Sequence, residues 1–131
     1  MKFILYLKVA AAIISSTLCY ALGGWDVLLE TLVVFCFLDI VTGVTVAIVD
    51  RNLSSKIAWF GFARKIGTFV IIALSVRLDI VFGTDLLRST TVGFFIAEEG
   101  VSIIENWAGI GLPLPDKIKQ VLAKLKEKKN V

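Results

Sequence analysis

Four apolar segments, each close to the length of a membrane-spanning helix, make up most of this chain. They cover about residues 3–22, 27–49, 66–83 and 91–112. A helix needs about 20 apolar residues to cross the hydrocarbon core of a bilayer, and an isolated strand would leave its backbone polar groups unsatisfied there. The predicted fold class is therefore an all-α integral membrane protein. We expect a helical bundle with about four transmembrane helices and a short basic amphipathic helix at the C-terminus.

The composition supports this fold class and excludes several kinds of chemistry. Hydrophobic residues make up 57% of the 131 residues, whereas roughly half is usual for soluble domains. The chain has no His, which excludes imidazole metal sites and His-based catalysis. Its two cysteines, Cys19 and Cys36, lie at different depths from the turn at Gly23 and Gly24, so we expect free thiols rather than a disulfide. We find no pattern typical of a catalytic, metal or cofactor site and nothing that requires nucleic acid, and we predict that the protein is not an enzyme.

Positive charges between the segments predict the orientation. The loop of residues 50–65 and the C-terminal tail are rich in Lys and Arg, while the turn of residues 23–26 has no positive charge. Because positively charged loops stay in the cytoplasm, we expect four spans with both termini on that side. Residues 1–115 then form the transmembrane domain and residues 116–131 a basic cytoplasmic tail. Two alternatives stay open: the fourth segment lies on the membrane, which leaves three spans, or residues 1–21 are a signal peptide.

The fourth segment carries Glu98, Glu99 and Glu105 inside an apolar run. One carboxylate at the centre of a bilayer costs about 3 kcal/mol on insertion scales. At about 100° per residue, these acids share one side of a helix with Ser102 and Asn106. One interpretation is a helix that lies flat, with this face in headgroup water. The other is a face that meets another helix or lines a wet cavity, the usual place for ionisable groups inside a membrane.

The second segment has a polar residue near its middle. Asp39 shares a helix face with the small and polar residues Cys36, Thr42 and Gly43, and small residues let helices approach closely. An alternative role for Asp39 is that of a paired or protonated structural acid. The polar faces of the second and fourth segments supply the candidate pore or oligomer contacts, which are Asp39, Gly43, Glu98, Glu99, Ser102, Glu105 and Asn106.

Aromatic and basic residues near the segment ends predict contact with the membrane surface. The stretch of residues 57–65, "IAWFGFARK", combines both kinds, which suits the headgroup region. Ser54 or Ser55 is expected to cap the helix that follows, and Arg77 and Asp79 are expected to extend outward. The tail is either an amphipathic helix on an anionic leaflet or a solvated segment. The candidate membrane-surface contacts are Trp59, Arg64, Lys65, Lys117, Lys119, Lys124 and Lys126.

Two stretches of the chain together resemble a known family. They are "LDIVTGVTVAIVDRNLSSKIAWFGFARKI" and "EEGVSIIENWAGIGLPLPDKIKQVLAKLKEK". As a set they are similar to the toxin secretion/phage lysis holin family of Gram-positive phages and prophages, over about residues 35–128. The positions that carry the resemblance are Asp39, Gly43, Ser54, Ser55, Gly61, Arg64, Lys65, Glu99, Ser102, Glu105, Asn106, Pro113 and Pro115.

The resemblance implies a holin, a protein that accumulates in the bacterial cytoplasmic membrane, forms homo-oligomers and opens lesions at a set time. An endolysin, or in some relatives a large toxin, crosses the membrane through the lesion. Two other classes fit a chain of this size: a small oligomeric ion-coupled transporter or ion channel, and an accessory subunit of a larger membrane complex. Oligomer number separates the classes, because a dimer favours transport and a large ring or open-ended assembly favours a holin.

Overall fold

The computed structural model describes residues 1–129, and this part of the chain folds into five α-helices joined by short turns. The helices are α1 (Lys2–Ala21), α2 (Val27–Val49), α3 (Ser55–Phe82), α4 (Leu86–Gly109) and α5 (Asp116–Lys129). The prediction of an all-α chain with four long helices and a short C-terminal one is confirmed. Two of the helices, α1 and α2, are long and apolar enough to cross a membrane.

The turn between α1 and α2 depends on two glycines and one acid. Gly23 and Gly24 have φ angles of 83° and 94°, a conformation that residues with a Cβ rarely adopt. Asp26 then starts α2, because its carboxylate accepts a hydrogen bond of 2.9 Å from the backbone N–H of Leu29. This side-chain cap satisfies one of the donors that the first turn of a helix leaves without a partner.

Helices α3 and α4 are both longer than the apolar segments that predicted them. Helix α3 begins at Ser55 rather than near residue 66, so the aromatic and basic stretch continues the helix without a break. Ser54 occupies the N-cap position as expected, although its side chain makes no capping hydrogen bond. Helix α4 begins at Leu86, five residues before the apolar run. In both cases the helix includes polar residues outside the apolar segment, because backbone hydrogen bonds form regardless of the polarity of the side chains.

Helix α4 packs against both α2 and α3, and these three helices form the core. The buried core residues are Leu32, Cys36, Ile72 and Val92. Between α3 and α4, the hydroxyl groups of Ser75 and Thr91 lie 2.8 Å apart and share a hydrogen bond. The core therefore combines a few apolar side chains with polar contacts, as is usual between helices in lipid.

The outer surface of the bundle is strongly apolar. Helix α1 buries none of its residues, and large hydrophobic side chains such as Phe37, Val70 and Phe94 are more than half exposed. Contiguous apolar surface of this extent marks a membrane or protein contact rather than a surface in water. The bundle thus presents apolar groups to its surroundings and keeps part of its charge inside.

Candidate functional site

The interior charge of the bundle is centred on Lys65. Its ammonium group donates a hydrogen bond of 2.7 Å to Asp39 Oδ2 on α2 and one of 2.6 Å to Glu99 Oε2 on α4. The three side chains are only 13%, 17% and 12% exposed, respectively. One cation therefore connects two carboxylates from two neighbouring helices in a nearly enclosed position.

Two neutral side chains of α4 also donate hydrogen bonds to Asp39. Ser102 donates a hydrogen bond of 2.5 Å to Asp39 Oδ1, and Asn106 Nδ2 donates one of 3.0 Å to the same oxygen. Asn106 also donates to Thr42 Oγ1 at 3.1 Å. Gly43 lies beside this contact: a Cβ at Gly43 would be 3.5 Å from Asn106 Nδ2. We refer to Asp39, Lys65, Glu99, Ser102 and Asn106 as the Lys65 cluster.

Helical spacing explains how α4 supplies three members of this cluster. Glu99, Ser102 and Asn106 follow the spacing i, i+3, i+7, which places them on one face of a helix. The sequence grouped Glu98 and Glu105 with them, but these two acids lie at the edges of that face. Glu98 pairs with Arg64 at 3.5 Å, and Glu105 is exposed. The face that meets α2 and α3 is thus centred on Glu99 rather than on Glu98.

An open groove between α3 and α4 reaches the Lys65 cluster. Its volume is about 450 Å³. The charged groups that line it are three carboxylates and two cations, so the groove has one more acid than base when all are ionised. These groups are Asp39, Glu98, Glu99, Arg64 and Lys65.

The residues predicted to contact the membrane surface divide into two groups. Lys65 differs from the prediction, because its ammonium group lies inside the bundle between two acids. By contrast, Trp59 and the Arg64 side chain are 69% and 79% exposed. In α5 the residues Lys117, Lys119 and Lys124 are exposed. The Lys126 side chain lies outside the described residues.

A second polar site, which the sequence did not predict, lies at the turn end of the bundle. The Arg88 guanidinium donates to the backbone oxygens of Leu22 at 2.6 Å and Gly24 at 3.0 Å, and Nη1 donates to Asp26 Oδ2 at 2.6 Å. These bonds hold the α1–α2 turn against the start of α4. The Arg88 hydrogen bonds lower the pKa of Asp26 below its ordinary value. We refer to this set of contacts as the Arg88 clamp.

Asp79 supports the same end of the bundle. Its carboxylate accepts hydrogen bonds from the backbone N–H groups of Leu87 at 3.0 Å and Arg88 at 2.8 Å, and from Thr84 Oγ1 at 2.6 Å. The expectation that Asp79 extends outward is wrong, because it is buried at 6% exposure and caps the first turn of α4. Arg77 does lie outside, with its guanidinium carbon 5.7 Å from the centre of the Tyr20 ring. In the sequence, an acid that stands a few residues before the turn into the next helix is the pattern that could have indicated this cap.

The chemistry of these two sites is that of ion pairing and helix packing. Among residues 1–129, no group of three acidic or cysteine side chains is placed to hold a metal ion, and Cys19 and Cys36 are free thiols. An apolar exterior around a paired, hydrogen-bonded interior defines the class: a helical membrane protein.

Comparison with known proteins identifies the family. Residues 16–127 match the model of the bacteriophage holin family, and the chain belongs to that family, which is a family of non-enzymatic membrane proteins. This agrees with the resemblance found in the sequence.

Curated relatives support the same assignment. A probable holin of Bacillus phage phi105 is 39% identical over 88 residues, which are 66% of this chain and 65% of the relative. The protein in the nagH 3' region of Clostridium perfringens is 38% identical over 126 residues, 95% of this chain and 96% of the relative. YqxH of Bacillus subtilis is 38% identical over 111 residues, 84% and 79% of the two chains. No solved structure gave a significant match.

Proposed function

We propose that this protein is a holin that oligomerises in the bacterial cytoplasmic membrane and opens lesions through which an endolysin or a large toxin passes. In this proposal helices α1 to α4 all span the bilayer, residues 1–115 form the transmembrane domain, and both termini are cytoplasmic. Residues 116–131 form a basic tail on the inner leaflet. Family membership supports the class of activity, and the loop charges support the orientation.

The observation that carries the mechanism is the position of the polar face of α4. Glu99, Ser102 and Asn106 are bonded to α2 and α3, so Glu99, an acid that would be costly in lipid, is paired inside the bundle. If α4 turns away from α2 in an oligomer, the same face can line water while the apolar exterior still meets lipid. Helix α4 would then have two states, one packed against α2 and one lining water in an oligomer. The accumulation of further copies can shift the equilibrium between these states.

The small-transporter alternative also has a supporting observation. An open groove next to a paired Asp39, Lys65 and Glu99 is a setting in which a small ion could exchange with a proton or a cation. The two functions differ in the size of what crosses the membrane. A holin lesion passes a folded protein, whereas a transporter or an ion channel passes only small solutes.

Liposomes loaded with both a small dye and a folded fluorescent protein test the proposal. We expect the purified protein to release both markers above a threshold ratio of protein to lipid. Asp39→Leu is expected to insert but to release less of the folded marker, because α2 then loses its polar lining. Asp50→Asn, an exposed acid at the end of the same helix, is the matched control and should behave like the wild type. Release of dye without protein at every ratio would contradict the holin proposal and favour the transporter.

A labelling experiment tests the orientation separately. In a Cys-free background, single cysteines are placed at Asp85 in the α3–α4 turn, at Asn52 in the α2–α3 loop and at Lys124 in α5. Four spans with cytoplasmic termini require Asp85→Cys to react with an impermeant reagent in intact cells, and the other two only after permeabilisation. Labelling of Lys124→Cys from outside would exclude this topology.

A further inference from the structure

Helix α1 carries a charge that the bundle leaves without an ion pair. Lys8 is exposed, and among the side chains that the structure describes it forms no ion pair. An ammonium group within a span is costly and usually pairs with an acid. The groove between α3 and α4 lacks one positive charge, since its lining has three carboxylates and only two cations.

The two sites lie at the same height in the bundle. The α1–α2 turn and the start of α4 are held together by the Arg88 clamp, so Ala21, Val27 and Leu86 share one end. At about 1.5 Å per residue, Lys8 lies roughly 20 Å along α1 from that end. Asp39 and Glu98 lie roughly 18 Å from it along α2 and α4. Lys8 can therefore meet the groove when α1 stands parallel to the other helices.

The α1 helix of the same chain is held away from this groove. Its contact with α3 is made through Tyr20, whose ring lies against Arg77. Among the described residues, no side chain of α1 lines the groove, and α1 buries none of its residues against the rest of the bundle. Lys8 in turn lies about 120° around α1 from Tyr20. Helix α1 of the same chain thus leaves the groove open to a helix from another molecule.

We propose that α1 of a second copy of this chain fills the α3–α4 groove and places its Lys8 against Glu98 and Glu99. Small residues follow Lys8 along that face of α1, with Ala12, Ser15 and Cys19 at helical spacing, and they permit a close approach. Gly61 and Gly67 line the groove, and the space beside each is open. The second copy thus supplies the cation that balances the acids of the first.

The contact is heterologous, because a face of α1 in one copy meets a different surface, the groove, in the next. Each added copy leaves one free α1 and one free groove, so the assembly grows into a ring or an open-ended array rather than stopping at a dimer. The inference deepens the proposed function and rests on its oligomerisation step. It names the surfaces that meet and the residue that sets their register.

Cross-linking between two differently tagged chains tests this contact. One chain carries Ala12→Cys, one turn beyond Lys8 on the same face, and the other carries Ile71→Cys in the groove, so that Lys8, Glu98 and Glu99 are kept; both also carry Cys19→Ala and Cys36→Ala. A short bismaleimide is used because residues that face each other across two packed helices can have their Cα atoms farther apart than the ~7 Å that a disulfide allows. We expect a product that contains both tags. Ala10→Cys, on the opposite side of α1 at a similar height, is the matched control and should lose that product.

Neutral and charged variants of Lys8 give a second measurement. Lys8→Met should insert but give smaller cross-linked assemblies, while Lys8→Arg, which keeps the charge, should resemble the wild type. Equal yields from Ala12→Cys and Ala10→Cys, or full-sized assemblies of Lys8→Met, would overturn the contact. If wild-type protein still releases the folded marker in that case, the holin proposal stands without it. A specific product between Ala12→Cys and Ile71→Cys from a protein that releases no marker would instead support the contact and contradict the function.

Discussion

Lys65 and Glu99 are 34 positions apart in the chain, yet the Lys65 ammonium lies 2.6 Å from Glu99 Oε2. The same ammonium bonds to Asp39, so one side chain joins three helices at a single point. Removing one member of a buried ion pair is far more costly than replacing the whole pair, because a charge is left without its partner. The stability of the bundle should therefore be most sensitive to the loss of Lys65.

Lys65→Met should destabilise the purified protein by about 3 kcal/mol, the low end for a broken buried ion pair, because the cluster opens onto a groove. The measurement is denaturant unfolding in detergent, followed by far-UV circular dichroism. Arg64→Met is the matched control, since Arg64 is the neighbouring cation and its side chain is 79% exposed. It should change stability by no more than about 0.5 kcal/mol. Equal effects of the two substitutions would show that the Lys65 pairing does not stabilise the bundle.

Asp79→Ala should lower the thermal unfolding temperature clearly more than Asp85→Ala. Asp79 accepts hydrogen bonds from two backbone N–H groups of α4, whereas Asp85, although it occupies the N-cap position, makes no side-chain capping bond. Asp79→Asn keeps one acceptor oxygen and should fall between the two. The assay is thermal unfolding in one detergent for all three variants. A larger effect at Asp85 would contradict the assignment of the cap.

The Arg88 clamp should weaken only in acid. Hydrogen bonds from Arg88 lower the pKa of Asp26 in the folded protein, so the stability that this carboxylate contributes is complete above the ordinary Asp pKa of about 3.9. It is lost as the pH falls through the lower, folded-state value. The difference in unfolding free energy between wild type and Asp26→Asn should be constant from neutral pH to about pH 5 and shrink below about pH 4. A difference that changes between pH 6 and pH 8 would show that another group titrates there.

Glu105→Leu should leave the protein inserted but reduce oligomer size and abolish lysis, with Glu105→Gln intermediate. The reason is that Glu105 lies at the edge of the polar face of α4, where an oligomer contact or a wet surface is proposed. Lysis onset and cross-linked oligomer size are measured together for both variants. Glu30→Gln, an exposed acid near the start of α2, should match the wild type. Wild-type values for both Glu105 variants would remove this acid from the proposed face.

The Lys residues of α5 are proposed to bind the anionic lipids of the inner leaflet. Changing all six Lys of α5 to Gln should weaken binding to vesicles that contain anionic lipid, since each Lys near such a surface contributes about 1 kcal/mol. The six residues are Lys117, Lys119, Lys124, Lys126, Lys128 and Lys129. Neutral vesicles are the control, on which the variant and the wild type should bind alike. Lysis timing should change while insertion stays intact, and unchanged timing and vesicle binding would mean that the tail has another use.

The four long helices could be predicted from the sequence because apolar segments of about 20 residues favour helices, although only α1 and α2 are apolar enough to be recognised as spans by hydropathy and length. Their ends were less certain: α3 extends through "IAWFGFARK", since a helix continues wherever its backbone hydrogen bonds do. The acids of α4 and Asp39 could likewise be recognised, because charge inside an apolar run is conspicuous. The sequence could not show which of these side chains contact each other. The partner of Asp39 is Lys65, which by its place in the sequence belongs to a headgroup region, and only the packing of α3 against α4 turns it inward.

The Arg88 clamp has a consequence for the order of events during biosynthesis. Its acceptors lie 62 to 66 positions before Arg88, so the α1–α2 turn is synthesised well before its guanidinium partner. A Cβ at Gly23 would stand 2.6 Å from Arg88 Nε, so a larger residue there would displace the Arg88 side chain from the clamp. The clamp therefore closes only after the start of α4 has been made, and in the proposed four-span arrangement the two helical hairpins dock late in the maturation of the chain.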